Sequence, residues 1–192
     1  MKHISSIFIS IVIIIFSSCS GGGKKVVVMA SGQIQANGNT VTLQPGTTHN
    51  EIEIIPDGDS ILVVAPSGNK GFAVKENGIY LLNLKKDTLV GSYQRTGTDN
   101  SQQVISQENL WARVDSLTRL MAGQNVSAAA KNYNLPPFTI ARISDNTSSQ
   151  IIGPYRKLPG SFDPSREHEV YKFYTNKEIV EIIARVKKML AN

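Results

Sequence analysis

Residues 33–44 read QIQANGNTVTLQ, two runs of alternating apolar and polar residues on either side of Asn37, Gly38 and Asn39. Asn and Gly accept the positive φ angles of a tight two-residue turn, so the stretch predicts a β-hairpin. Upstream, Val26–Ala30 and Gln33–Ala36 read as strand. Downstream, Val41 and Leu43 alternate with Thr40, Thr42 and Gln44 until Pro45 and Gly46, where the strand is expected to close. Glu51–Ile54 alternate again, and Pro56, Asp57 and Gly58 turn the chain into Ile61–Ala65. Further turns at Pro66–Asn69 and at Asn77 and Gly78 separate Gly71–Lys75, Ile79–Leu84 and Thr88–Tyr93. Seven or eight evenly spaced strands with no helical interruption predict an antiparallel β-sandwich-like domain, or a small barrel, over residues 26–93.

The pattern changes after residue 93. Residues 94–104 are polar and rich in Gly, Thr, Asn and Ser, and are expected to link the β domain to a small α+β domain at 105–192, making the whole chain α+β. Ser106 is placed to cap a helix whose apolar stripe is Leu110, Val114, Leu117 and Met121, with Gly123 as its stop and Trp111 packed into the core or the domain junction. Ser127 is placed to cap a second, short helix through Tyr133. Phe138–Ile143, Gln150–Tyr155 and Val170–Tyr174 read as strands. Thr175 and Glu178 form a capping box opening a last helix that buries Ile179, Ile183, Val186 and Leu190.

The 192 residues carry a net charge of +5 and a single cysteine, Cys19. Lys2 and His3 precede an apolar run from Ile4 to Phe16, followed by Ser17 and Ser18. This is the order of an export signal, and 13 residues fall short of the roughly 20 that a spanning helix needs. Phe16, Ser17, Ser18 and Cys19 resemble the lipobox of bacterial lipoprotein precursors. The resemblance implies cleavage after residue 18, lipidation of Cys19 and anchoring to membrane lipids through its acyl chains; loss of Lys2 would then lower the net charge to +4. With no other thiol, the fold rests on packing rather than on disulfides. Ser20 stands where Asp resembles an inner-membrane retention signal, which favours the outer membrane and its periplasmic face. Residues 19–25 form a short tether, and its Lys24 and Lys25 are free either to meet lipid phosphates or to remain solvated. A second resemblance rests on Glu76, Asn77, Gly78, Ile79, Tyr80 and Leu81, which look like the late Gly-x-Tyr-x-Leu strand of immunoglobulin-like or carboxypeptidase-regulatory-like modules, implying a buried or corner Tyr80 whose hydroxyl bonds to backbone.

Few residues offer chemistry. The histidines are His3, His49 and His168, none paired at helical spacing, so a zinc site of His and Cys is not expected. His168 lies between Glu167 and Glu169, where neighbouring residues on an extended chain point to opposite faces, and reads as a solvated strand entrance. Asp57–Ser60 lacks the later ligands of a calcium loop, and Gly68–Gly71 lacks the phosphate-loop spacing; both read as turns. No nucleophile elbow occurs, and no cofactor, metal site or enzymatic activity is expected. The charges are mixed in sign, so no nucleic-acid partner is expected. One loop stands out: Tyr155, Arg156 and Lys157 set an aromatic beside two cations, suited to a glycan, a lipid headgroup or a partner protein, or simply to solvent. The sequence therefore suggests a non-catalytic envelope lipoprotein that binds an envelope protein partner within an outer-membrane assembly. The alternative is a carbohydrate- or lipid-binding lipoprotein with Tyr155 or Tyr133 as its platform.

Overall fold

The computed structural model describes residues 23–94, 107–157 and 169–191. Cys19, Ser106, Glu167 and His168 lie outside them, as does most of the expected linker. The elements run β1 (Lys24–Asn37), β2 (Thr40–Ile54), β3 (Ser60–Ala65), β4 (Gly68–Ala73), β5 (Gly78–Leu84), β6 (Leu89–Gln94), α1 (Gln107–Met121), β7 (Asn132–Leu135), β8 (Thr139–Ser144), β9 (Gln150–Ile152), β10 (Val170–Thr175) and α2 (Asn176–Leu190). The strands form a six-stranded sheet in the order β4-β3-β2-β1-β5-β8 and a four-stranded sheet in the order β7-β6-β10-β9. The chain is thus α+β and mostly β.

The two central strands of the larger sheet explain its layering. Val26 to Ala30 of β1 and all of β5 are buried, so each strand is covered on both faces and reads as a nearly unbroken apolar run. On one face, Val26, Val28, Ala30, Tyr80, Leu82 and Leu84 join Val41, Leu43, Ile61, Val63 and Phe72 in a core drawn from the larger sheet. On the other, Val27, Met29, Ile79 and Leu81 meet Leu89, Tyr133, Leu135, Tyr171 and Phe173 of the smaller sheet. Beyond that sheet, Val90 packs with Leu120 and Ile179, which brings α1 and α2 onto its outer face. Strands from both sides of residues 94–104 enter both sheets: β8 pairs with β5, and β6 lies between β7 and β10.

Several expectations change. The sheets are mixed rather than wholly antiparallel, because β1 runs parallel to β5, β2 to β3 and β9 to β10. Alternation specifies which face is buried, not the direction of the neighbouring strand. Pro45 and Gly46 do not close a strand; they lie inside β2 at a bulge. Ser31 pairs with His49, but Gly32 pairs with Pro45, which loops Gly46, Thr47 and Thr48 out of the ladder. Gly32, with φ 114°, is required there, since a Cβ would stand 2.1 Å from the Gln44 carbonyl oxygen. The merging of segments across this bulge and its partner leaves six strands between residues 24 and 94.

In the second half, Ser127 does not open a helix through Tyr133. Its Oγ accepts from Ala130 N at 3.0 Å for a single turn, Lys131 adopts φ 52°, and Asn132–Leu135 then forms strand β7 with Tyr133 and Leu135 turned inward. Gln150–Tyr155 is strand only to Ile152. Trp111 is 50% exposed rather than buried, because α1 packs through Val114, Leu117, Leu120 and Met121, C-terminal to it. The Thr175–Glu178 capping box forms, and Ile179 is buried behind it. Tyr80 is buried, and its hydroxyl donates to Glu76 O at 2.7 Å. No helix among the described residues is long and apolar enough to cross a membrane.

Candidate functional site

The loop carrying Tyr155 and Arg156 packs against the bulged end of β2. Gly153 follows β9, where the backbone passes so close to Glu51 that a Cβ would lie 1.7 Å from its Oε1 and 3.0 Å from Met29 Cε. The buried Lys172 of β10 donates to Gly153 O, and its ammonium lies 4.6 Å from the Tyr174 ring centroid. Tyr155 then takes a left-handed conformation with φ 65°, donates its N–H to Glu178 Oε1 at 2.8 Å, and sets its ring edge-on to His49 at 5.8 Å. The ring remains 62% exposed. Arg156 Nη1 stands 3.4 Å from Glu51 Oε2. Arg156 and Lys157 together line a second groove with Lys25, Glu53 and Gln150. The expected trio is therefore divided: Tyr155 stands against His49, while Arg156 pairs with Glu51 and shares its groove with Lys157.

Three members of that network were not expected from the sequence: His49, Glu51 and Lys85. His49 and Glu51 are two residues apart on β2, which puts them on one face of the strand, and Glu51 Oε1 lies 2.6 Å from His49 Nε2. Lys85 Nζ is 3.1 Å from His49 Nδ1 and 3.5 Å from Ala30 O. An ammonium only donates, so with Lys85 charged, Nδ1 accepts and the proton on Nε2 goes to Glu51. The backbone at Lys85 is fixed by Asn83, whose Oδ1 accepts from Lys85 N at 2.9 Å while its Nδ2 donates to Asp87 O and Leu135 O. Burial pushes the Lys85 ammonium below its ordinary pKa, against the opposing pull of Asp87, Glu178 and Glu51. Burial does the same to Lys172, again opposed by Glu178 and Glu51. The i, i+2 spacing of His49 and Glu51 was legible, but nothing in the sequence places Lys85 beside them.

Above the network opens a cleft of about 500 Å³, lined by Ser31, Thr47, His49, Lys85, Lys86, Asp87, Tyr155, Thr175 and Lys177. The bulge in β2 supplies Thr47 and His49, the turn after β5 supplies the two lysines and Asp87, and the start of α2 supplies Thr175 and Lys177. Three lysines against one aspartate make the lining cationic. Tyr133, the other expected platform ring, is only 7% exposed, and its hydroxyl donates to Ile143 O at 2.5 Å. It is a core residue.

The other candidates have structural partners. Glu169 accepts from Lys131 Nζ at 2.6 Å, Ser149 Oγ at 2.5 Å, Tyr171 Oη at 2.8 Å and Ser144 Oγ. Burial works to raise its carboxyl, but these four donors outweigh burial and hold the pKa at about 2. Asp59 pairs with Lys24, whose hydrogen bond and charge lower the carboxyl, and Lys25 lies 3.6 Å from Glu53. The two tether lysines are thus engaged by protein carboxylates. Gly68–Gly71 lies in β4, paired with β3. Among the described residues, no three His, Asp, Glu or Cys side chains stand together as a metal site.

No family model, curated protein sequence or solved structure matches this chain.

Proposed function

We propose that this chain is a membrane-anchored envelope lipoprotein, lipidated at Cys19 and held in the outer membrane facing the periplasm, whose folded part is a non-catalytic module that binds a protein partner in an outer-membrane assembly. The observation that carries the binding role is Tyr155. A tyrosine in the left-handed region costs about 1 kcal/mol, and here that cost sustains an exposed ring, anchored through its N–H to Glu178 and through its edge to His49. Strained and exposed side chains on well-held loops are a mark of binding surfaces. The lipid anchor rests on the sequence around Cys19. We also read the two sheets as packed face to face, sandwich-like, supported by the core that Val27, Met29 and Leu81 share with Tyr171 and Phe173.

The test is purification of the full chain from native envelopes in mild detergent, alongside Cys19→Ala and Tyr155→Ala forms. A stoichiometric partner lost with Tyr155→Ala, and membrane association lost with Cys19→Ala, is the expected result. Stable membrane association of Cys19→Ala would remove the anchor. Carbohydrate or lipid binding is the second reading, favoured by the cationic cleft beneath the Tyr155 ring.

A further inference from the structure

The cleft has features that its neighbours' stability does not explain. Lys177 lies in the first turn of α2, where the helix dipole already presents positive charge, so a lysine there works against the helix. Lys86 and Lys177 are exposed and, like Lys157 and Lys187 elsewhere, form no ion pair among the described residues, so their charge is not offset at the cleft. Lys85 is 4% exposed, and two of its three donors are directed at His49 Nδ1 and Ala30 O. The third is left for whatever occupies the cleft that Lys85 lines. Cations from the turn after β5 and from α2, distant in sequence, are thereby gathered around one space of about 500 Å³, with an exposed aromatic ring at its rim. Positive charge gathered in a concave site favours an oxyanion, and an aromatic ring favours the apolar face of a sugar.

We propose that this cleft binds a sugar bearing an anionic group, a phosphate or a carboxylate, with Lys85, Lys86 and Lys177 around the oxyanion and Tyr155 against the sugar ring. The proposal deepens the carbohydrate-binding reading. It uses the lipoprotein reading only for where the ligand comes from. From Lys24 to Ser31, β1 rises about 23 Å at roughly 3.3 Å per residue, so the cleft meets β1 midway along its length, about that far from the tether.

The experiment is calorimetric titration of the full chain in detergent with glucose 6-phosphate, glucuronate, unmodified glucose and inorganic phosphate, at low and at physiological salt. Saturable binding of at least one anionic sugar, weakened by salt and absent for glucose, is expected. The double variant Lys86→Gln/Lys177→Gln changes two exposed residues and leaves the buried network intact, and should weaken binding about tenfold or more. Lys187→Gln, near the other end of α2, should leave it unchanged. Tyr155→Ala should weaken the sugars but not inorganic phosphate. The two anionic sugars distinguish a phosphate from a carboxylate ligand. Absence of binding, equal binding of glucose, inorganic phosphate binding as tightly as the tighter-bound anionic sugar, or an unaffected double variant would each overturn the proposal. None of these results depends on where Cys19→Ala fractionates, so failure of the anchor and failure of the cleft are separately visible.

Discussion

Glu178 holds Tyr155 and the start of α2 with one carboxylate: Oε1 accepts from Tyr155 N at 2.8 Å, and Oε2 accepts from Thr175 N at 2.8 Å. Glu178 N in turn donates to Thr175 Oγ1 at 3.2 Å, completing the capping box. A local helix-start signal therefore doubles as a long-range clamp on the exposed loop, 23 residues away in sequence.

Glu178→Ala should cost about 1 kcal/mol of stability through the lost cap, measured by chemical denaturation. Its distinctive effect is faster hydrogen exchange at the Tyr155 amide. If that amide keeps its protection in the variant, the clamp is not what orders the loop.

Gly153→Ala should destabilise the fold by about 2 kcal/mol or more, since its methyl group would occupy space already filled by Glu51 and Met29. Relief requires the loop to move off Glu51, which also separates Arg156 from that carboxylate. A stability change below about 0.5 kcal/mol would contradict the close approach.

Two tyrosines should respond in opposite ways. Tyr133→Phe removes a buried hydroxyl and leaves Ile143 O without that donor, at a cost of about 1 kcal/mol. Tyr155→Gly relieves the left-handed backbone strain and discards an exposed ring, so stability should hold or rise slightly. Thermal melts of the two variants make the comparison. Equal losses would mean that Tyr155 is part of the core.

Acid stability should depend on Glu169. Its pKa lies near 2 in the folded chain against an ordinary 4.5, so the stabilisation is complete above about 4.5 and is lost as pH falls from there toward 2. In that window the unfolded chain takes up the proton first. Glu169→Gln should lower stability at neutral pH by about 2 kcal/mol and flatten the decline between those values. Urea denaturation from neutral to acid pH reads this directly. Parallel curves for the variant and the parent would show that another carboxylate governs the transition.

Much of the fold was legible because the signals involved are local. The hairpin at Asn37–Asn39 forms with Asn37 opposite Thr40 and Gly38 at φ 55°, as its turn chemistry demands. The capping box of α2 and the backbone hydrogen bond of Tyr80 are likewise decided within four residues. Ser127 was misleading for the same reason. A serine three residues before Ala130 satisfies one donor whether a helix or a single turn follows, and the burial of Tyr133 and Leu135 in the core between the two sheets chose the turn.

The candidate site was half legible. An aromatic beside cations between Pro154 and Pro159 marked the loop; of these residues Tyr155 lines the cleft, and Arg156 reaches its network only through Glu51. Tyr133 carried the same residue type but went inward, since only tertiary packing separates a core ring from an exposed one.

The sequence by itself determined the alternation of the strands, most of the turns between them, the two long helices and a lone cysteine after an apolar run, because each depends on φ preferences, side-chain period and composition within a short window. Only the tertiary structure decided that β1 and β5 run in parallel, that β6 and β8 carry the chain from one half into the sheet of the other, and that Lys85, His49 and Glu51 line up beneath Tyr155. Strand direction and the meeting of distant side chains depend on which apolar faces find one another across the core, and that choice is made by the sum of non-local burial.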